Sequence, residues 1–483
     1  MLLTWKMRLS FSAPARPPKF KRIMVSTSHC SLNGPPQTSI WQRRLWGLRF
    51  LFQPLETIEA RRKAYGDDYR VSQPDAKPPL VYFSSPQALE AIFTAKPEQL
   101  SAGRGNQILK ELIGEHGLVL LEGAAHQQQR QLLMPPFHGD RMRSYAQVIG
   151  HITAAVTSAW KVGTVFAVRP AMQSLSLQVI LQAVFGLEEG QRYEQLRQTM
   201  SRMLDGFGSP LGAMFLFYPF LQKEWRWSPW GKFLQRRQQV DALLYAEIRD
   251  RYHQPDSGRT DILALLMAAR DPEGHPMSAV ELRDELITLL FAGHETTASA
   301  LAWALYWLVS LPDVQTKLLA EIEALGAAAD PMAIARLPYL QAVCQETLRL
   351  YPIALSAFPR LVKQPIDIAG YPLEPGTVIM PSIYLAHHRE SVYPEPKQFR
   401  PERFLERQYS PYEYLPFGGG DRRCIGAAFA LFEMKLVLYG IMSKFELSLV
   451  NSRPVRPIRR GITVAPSDHL SLRVTGMRHD HKA

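Results

Sequence analysis

The sequence predicts a mainly α-helical protein with a smaller β-rich part, and three patterns carry that expectation. Apolar spacing is mostly helical from about residue 105 to 350. Inside that stretch Ser278 and Glu281 form an S-x-x-E capping box and no stop signal follows until Pro312, which predicts one helix of about 30 residues, roughly 45 Å long. Residues 366–380 then change character. Ile366-Asp367-Ile368, Gly370, Pro375-Gly376 and Thr377-Val378-Ile379-Met380 predict a hairpin, and short strand pieces recur near 445–450 and 462–473.

Along the chain, Pro35-Pro36 marks the start of the folded body. Residues 1–34 are expected to form a basic, disordered tail, residues 35–475 a single domain, and 476–483 a short C-terminal tail. Leu80-Val81-Tyr82-Phe83, after Pro78-Pro79, reads as a strand, and Ser85-Pro86 opens a helix behind it. The second half of the long helix, Ile287 to Leu311, is apolar on every side, which fits a core helix or a membrane span. His294 and Glu295 sit in its middle and each would be costly in lipid, so the helix is expected to cross the domain buried in protein.

Composition narrows the function classes. Apolar residues make up 46% of the 483, a globular value. The formal charge of +12 is concentrated at the start, where residues 1–55 hold nine basic residues and no acid. The rest is nearly balanced and carries no basic stripe interleaved with aromatics, so nucleic acid is not the expected partner. Lys6 and Arg8 interrupt any apolar run near the N-terminus, which argues against a signal peptide or a transmembrane anchor. Cys30, Cys344 and Cys424 are too few and too scattered for a disulfide framework, so a reducing compartment such as the cytoplasm is expected.

The strongest chemical signal is Phe417-Gly418-Gly419-Gly420-Asp421-Arg422-Arg423-Cys424-Ile425-Gly426. Its glycines allow a tight turn and a close approach to a flat cofactor. Arg422 offers a fixed cation for an acidic group, and Cys424 precedes a helix whose positive end favours thiolate. Five fixed positions at ~5% each match somewhere in a chain of this length with a chance probability of about 10⁻⁴. The loop resembles the cysteine signature of the cytochrome P450 superfamily, F-x-x-G-x-R-x-C-x-G, at every fixed position. The resemblance implies the cytochrome P450 fold and bound heme b (iron protoporphyrin IX). Cys424 would ligate its iron, Arg422 would pair with a propionate, and Phe417 and Gly426 would lie beside the thiolate.

Other segments fall where that family places its parts. Glu346-x-x-Arg349, in a helix read as Leu340–Tyr351, and Arg403 within Phe399-Arg400-Pro401-Glu402-Arg403-Phe404 would form a buried Glu–Arg–Arg network that holds the cysteine loop in register. Ala292-Gly293-His294-Glu295-Thr296-Thr297 resembles the oxygen-activation motif, in which Gly293 would make room for dioxygen and Glu295 and Thr296 would relay protons. Mid-helix glycine and carboxylate are local costs that sequences tolerate mainly at functional sites. The plain alternative is a glycine kink with a back-bonded threonine. His126-x-x-x-Arg130 stands where the family usually has W-x-x-x-R, and Arg360 where a strand residue often meets the other propionate.

By family position the pocket would be lined by Val119, Leu290, Phe291, Ala292, Thr296, Ala354–Ala357 and Ile462–Val464, with residues 211–220 over it as a lid. The lining is apolar, and the overall pattern is similar to cyanobacterial members that hydroxylate fatty acids and alkanes. The resemblance therefore implies a monomeric monooxygenase that takes O₂, a lipophilic substrate, and electrons from ferredoxin and ferredoxin reductase. Arg422, Arg423, Lys435 and Arg141 are the expected ferredoxin-facing cations, and Lys77 and Tyr82 the candidates to meet a substrate carboxylate. The competing readings are a terpenoid hydroxylase, a peroxygenase or isomerase, and a non-catalytic heme electron carrier or sensor.

Overall fold

A computed structural model describes residues 47–478, apart from 72–77, 138, 140, 188–189, 207–213, 216–220, 226, 254–257, 327–328 and 452. Lys77 and nearly all of the expected lid therefore lie outside the described residues, as does the N-terminal tail.

The long helix runs Ala279–Ser310. Its start is the expected capping box: Ser278 Oγ accepts from the Glu281 N–H at 3.2 Å, and Glu281 Oε2 accepts from the Ser278 N–H at 2.8 Å. Leu311 leaves helical geometry and Pro312 opens the next helix, Pro312–Leu325, because proline's missing N–H costs nothing in a first turn. The long helix is buried against the helices Val168–Phe185, Ala427–Met442, Pro338–Leu350 and Pro229–His253. Leu286, Leu290, Leu301, Trp303 and Leu305 lose essentially all exposure there, so protein rather than lipid covers its apolar surface. Among the described residues no helix is long and apolar enough to cross a membrane.

The β part lies beside this helical core. Its main sheet orders the strands Tyr69–Val71, Leu80–Phe83, Val378–Pro381, Arg360–Val362 and Leu100–Ser101. A second sheet sets Ser471–Met477 between Val165–Ala167 and Phe445–Leu449, which carries the folded body past residue 475. The expected strand at 80–83 and the helix behind it are present, the latter as Pro86–Thr94 with Ser85 as its N-cap.

Residues 366–380 depart from the single expected hairpin. Ile366–Ile368 pairs with Tyr371–Leu373 across Ala369 and Gly370, whose φ values of 53° and 88° suit a two-residue turn. Val378–Pro381 leaves that hairpin and pairs parallel with Leu80–Phe83. Pro375-Gly376 redirects the chain between sheets rather than closing a second arm.

Candidate active site around Cys424

The cysteine loop is shaped by its glycines. Gly418 and Gly420 take left-handed φ values of +71° and +66°, which disfavour any side chain. A Cβ on Gly419 would lie 2.6 Å from the Phe93 ring, and one on Gly420 2.5 Å from the Phe93 carbonyl oxygen. These two glycines let the loop approach Phe93 of the helix Pro86–Thr94 closely. The Cys424 N–H donates to Phe417 O at 3.0 Å, closing the loop, and Gly426 caps the helix Ala427–Met442.

Cys424 is accessible at its surface yet enclosed deep among protein atoms, as befits a residue facing a cleft inside the fold. Burial pushes its thiol up, while the Gly426 N–H, Arg130 and Arg423 pull it down, and the net direction is upward. The helix end therefore helps the thiolate without outweighing desolvation. Cys344, by contrast, sits in solid core and is pushed up to about 12 by burial.

Basic groups gather beside the loop. Arg422 donates to Leu121 O at 2.6 Å and Leu118 O at 3.4 Å, yet its buried Nε has no hydrogen-bond partner. Arg130 donates to Arg423 O at 2.7 Å. Arg360 donates to Phe358 O at 2.7 Å and lies over the Phe93 ring, with its pKa lowered to about 10 by burial. His126 is buried with its Nδ1 unpartnered, and burial followed by the charge on Arg422 lowers it to about 4, so it is neutral. Asp421 is the acid these groups share. A surplus of buried cations with unspent donors beside a thiol fits a planar ligand that carries two carboxylates and a thiolate-seeking metal, which is heme.

The oxygen-motif residues lie where the long helix opens. Ala292 is exposed and Gly293, Glu295 and Thr296 are half-buried, although Leu290 before them and Thr297 to Ala300 after them are buried. Thr296 Oγ1 donates to Ala292 O at 2.5 Å, the back-bonded geometry. Glu295 accepts from Gln173 Nε2 at 2.5 Å and from Arg169 Nη1 at 3.4 Å. Gly293 needs correction: a Cβ there would stand 2.8 Å from Ile180 Cδ1, so the space it leaves is filled by the neighbouring helix rather than kept for dioxygen.

The match to known proteins is extensive. The family model for cytochrome P450 covers residues 35–472. The chain belongs to the cytochrome P450 family. Cytochrome P450 135B1 of Mycobacterium tuberculosis is 39% identical over 400 residues, 83% of each chain. Cytochrome P450 135A1 of the same species is 34% identical over 94% of this chain and 98% of its own. Retinoic acid-bound cyanobacterial CYP120A1 superposes with a TM-score of 0.78 at 25% identity, over 88% of this chain and 96% of its own. This cytochrome P450 is accordingly a heme-dependent monooxygenase. Heme, when bound, supplies the activation of O₂ and the insertion of one of its atoms into a C–H bond. Cys424 would hold the iron, and His126, Arg130, Arg360 and Arg422 would hold the propionates.

In this P450 the Glu–Arg–Arg network is fully assembled inside the core. Arg349 donates to both Glu346 oxygens at 2.6 and 2.9 Å, and Arg403 Nε adds a third bond at 3.1 Å. Arg349 and Arg403 also donate to the carbonyls of His387, Pro394, Pro396 and Gln398, so the pair of charges pins the 387–398 segment ahead of the cysteine loop. The carrying helix is Pro338–Leu350.

The expected lining divides. Val119, Phe291 and Ile462 are half-buried at the edge of the same core, as is Phe417, expected beside the thiolate, and Ala354 and Ala357 are half-buried nearby. Leu290 and Val464 are corrections: both are buried, Val464 in a separate cluster with Tyr69, Tyr82 and Leu385. Tyr82 is itself buried and stacked on Tyr69 at 5.0 Å, so it meets no carboxylate at a mouth. Lys435 is held inward by Gln341 and Ala335 O, and Arg422 donates to the Leu118 and Leu121 carbonyls; of the remaining two, Arg423 is exposed and Arg141 half-buried.

Several working residues were invisible in the sequence. His387 accepts from the Leu415 N–H at 2.9 Å through Nε2 and meets Arg349 O at 3.2 Å through Nδ1, linking the buried network to the loop. Phe93, Arg169 and Gln173 carry no motif. Glu433, nine positions after Cys424, is buried with one oxygen unpartnered and is raised by burial to about 8.

Proposed function

We propose that this P450 hydroxylates a medium- or long-chain fatty acid or alkane near its methyl end, using electrons from a cytoplasmic ferredoxin and its reductase. One observation carries the reading: the accessible side chains on the opened helix and its surroundings are apolar and mostly small, namely Phe291, Ala292, Ala354, Ala357 and Ile462. The carboxylate among them, Glu295, is already held by Arg169 and Gln173. Such a lining recognises length rather than polar pattern. The likeness to a cyanobacterial P450 recorded with retinoic acid supports a lipophilic acid in general; retinoic acid is a ringed isoprenoid, so the choice between a fatty acid and a terpenoid rests on the titration below. Arg423, which is exposed, and Arg141, which is half-buried, suit an acidic ferredoxin, because opposite charges steer association.

Titration of a homologous series of saturated acids by the heme spin-state shift tests the substrate. Burial worth ~0.8 kcal/mol per methylene raises affinity about fourfold per added carbon until the pocket is full. A flat series beside tight binding of a sesquiterpene would establish the terpenoid reading instead.

A further inference from the structure

We propose that Glu285 is a positioning residue that clamps the 114–121 segment, and with it the helix carrying His126 and Arg130, onto the long helix. Glu285 is buried near the start of the long helix, seven residues before Ala292. Its Oε1 accepts from Gln129 Nε2 at 3.1 Å, and Gln129 lies one turn after His126 in the helix Gly123–Leu133. The Leu118 N–H faces the same carboxyl and draws its pKa down. The carbonyl of Leu118 is taken by Arg422 of the cysteine loop. One backbone unit is therefore held from both sides, by the long helix and by the heme-binding loop. Its neighbour Val119, at the pocket edge, has its own carbonyl held by Asn106.

The surrounding contacts show that this segment is fitted rather than merely covered. The His116 N–H donates to Asp284 Oδ2 at 2.9 Å. A Cβ on Gly117 would lie 2.8 Å from Thr288 Oγ1, and one on Gly114 would collide with the Asp284 carboxylate. Residues 284, 285 and 288 thus form one face that reads the segment's backbone.

Among the described residues no cation pairs with Glu285. The charged and titratable groups on the elements around it are Asp284 and Glu281 on its own helix, His116 on the segment, His126 and Arg130 on the next helix, and Arg422 beyond Leu118. Arg283 is engaged by Asp241 and Asp284, Arg130 by Arg423 O, and Arg422 by Leu118 and Leu121. Burial first, then Asp284 and Glu281, raise Glu285 to about 8 against the opposing bonds from Gln129 and Leu118. At neutral pH it is a neutral acid, and its second oxygen has no partner.

The sign of the pH effect follows. With the segment clamped, the carboxyl keeps its proton up to about pH 8; with the segment lifted, water restores the ordinary value of 4.5. The clamped-to-lifted ratio therefore falls about tenfold per pH unit between these values and is level above them.

The test is amide hydrogen exchange of residues 114–121 in the heme-loaded protein at pH 6, 7 and 8, corrected for intrinsic exchange. Wild type is expected to open about 50-fold more at pH 8 than at pH 6, the last pH unit contributing less because pH 8 lies at the clamped pKa. Glu285→Gln, which keeps an acceptor and cannot ionise, is expected to show no such trend, and Glu285→Leu to exchange faster at every pH. Binding of 4-phenylimidazole to the heme iron should weaken in parallel in wild type and Glu285→Leu, whatever the natural substrate. A Glu285→Gln protein with the wild-type pH trend, or a Glu285→Leu protein with wild-type protection, overturns the assignment.

Discussion

Replacing Glu346 with glutamine keeps the side chain's shape and removes its charge, and the consequences can be worked through bond by bond. In the native core, Glu346 accepts from Arg349 twice, from Arg403 Nε, and from the Arg400 N–H at 2.8 Å. Both arginines and the glutamate are essentially without solvent exposure. Glutamine can accept at one oxygen only, so two guanidinium charges lose their counter-ion where water cannot replace it. Breaking a buried pair by removing one partner costs about 3–5 kcal/mol. Unfolding entropy of ~2.1 cal/mol/K per residue over residues 35–472 comes to about 0.9 kcal/mol/K, so Tm should fall by about 3–5 °C. The loss should fall on the loop first, because the arginines also hold the 387–398 carbonyls. Differential scanning calorimetry with the ferrous–CO spectrum read alongside checks both parts: lower Tm and a smaller thiolate-ligated fraction. A triple apolar replacement of Glu346, Arg349 and Arg403 would not rescue the protein, since the carbonyls of His387, Pro394, Pro396 and Gln398 would each lose a donor at about 1–3 kcal/mol. A Glu346→Gln protein with Tm within a degree of wild type and full thiolate ligation would refute the reasoning.

Two further perturbations separate packing from chemistry on the long helix. Gly293→Ala drives a methyl against Ile180 Cδ1 and should destabilise by about 1–3 kcal/mol, with much of that loss recovered in a Gly293→Ala/Ile180→Val double variant, which removes Cδ1 at a cost of its own of about 0.5–1.5 kcal/mol, compared with both single variants by thermal unfolding. If dioxygen rather than Ile180 needed the space, the second substitution would restore nothing. Thr296→Ala removes a hydroxyl whose proton is given to Ala292 O, leaving its oxygen as an acceptor toward the open side. Heme binding should persist while reducing equivalents drain to hydrogen peroxide, and wild-type coupling in a peroxide assay would place proton delivery elsewhere.

Much of this was legible in the sequence, and the physical reason is that legible features are local. The capping box at Ser278 and Glu281, the glycine-rich approach to Cys424 and the Glu346–Arg349 spacing are each set within a few residues. What could not be read depends on contacts between distant segments. Phe93 as the partner of Gly419 and Gly420, His387 as the link from Arg349 to Leu415, and Ile180 as the filler beside Gly293 are such contacts. The errors have the same root. Val378–Pro381 looks like a hairpin arm because alternation does not name the partner strand. Leu290 stands next to the half-buried Phe291, and one residue along a helix turns a side chain from cleft to core, whereas Val464 lies in a strand, Thr463–Pro466, whose residues are all buried. Lys435 is counted as surface charge on composition, although its amine reaches inward to Gln341.

The acids of the long helix show why a carboxylate in an apolar helix does not by itself identify chemistry. Asp284, Glu285 and Glu295 all break the apolar pattern, yet their surroundings set them to three different tasks. Asp284 is paired with Arg283 and accepts from the His116 N–H, so its charge is balanced and its work is to hold a loop. Glu285 has no cation among the described residues and is raised to about 8, so it holds the same loop as a neutral acid. Glu295 is met by Arg169 and Gln173, and it adjoins Thr296 where the helix opens to the cleft. Arg169 also reaches Asp468 at 3.1 Å, so Glu295 shares its partner with a second carboxylate on the far edge of the domain. The Arg169–Glu295 pair is mostly buried, at 11% and 18% exposure, whereas the competing Asp468 is 63% exposed. Of the three, Glu295 alone is half-buried rather than buried and adjoins Thr296 at the cleft, so its place rather than its residue type makes it the acid on which proton delivery is to be tested.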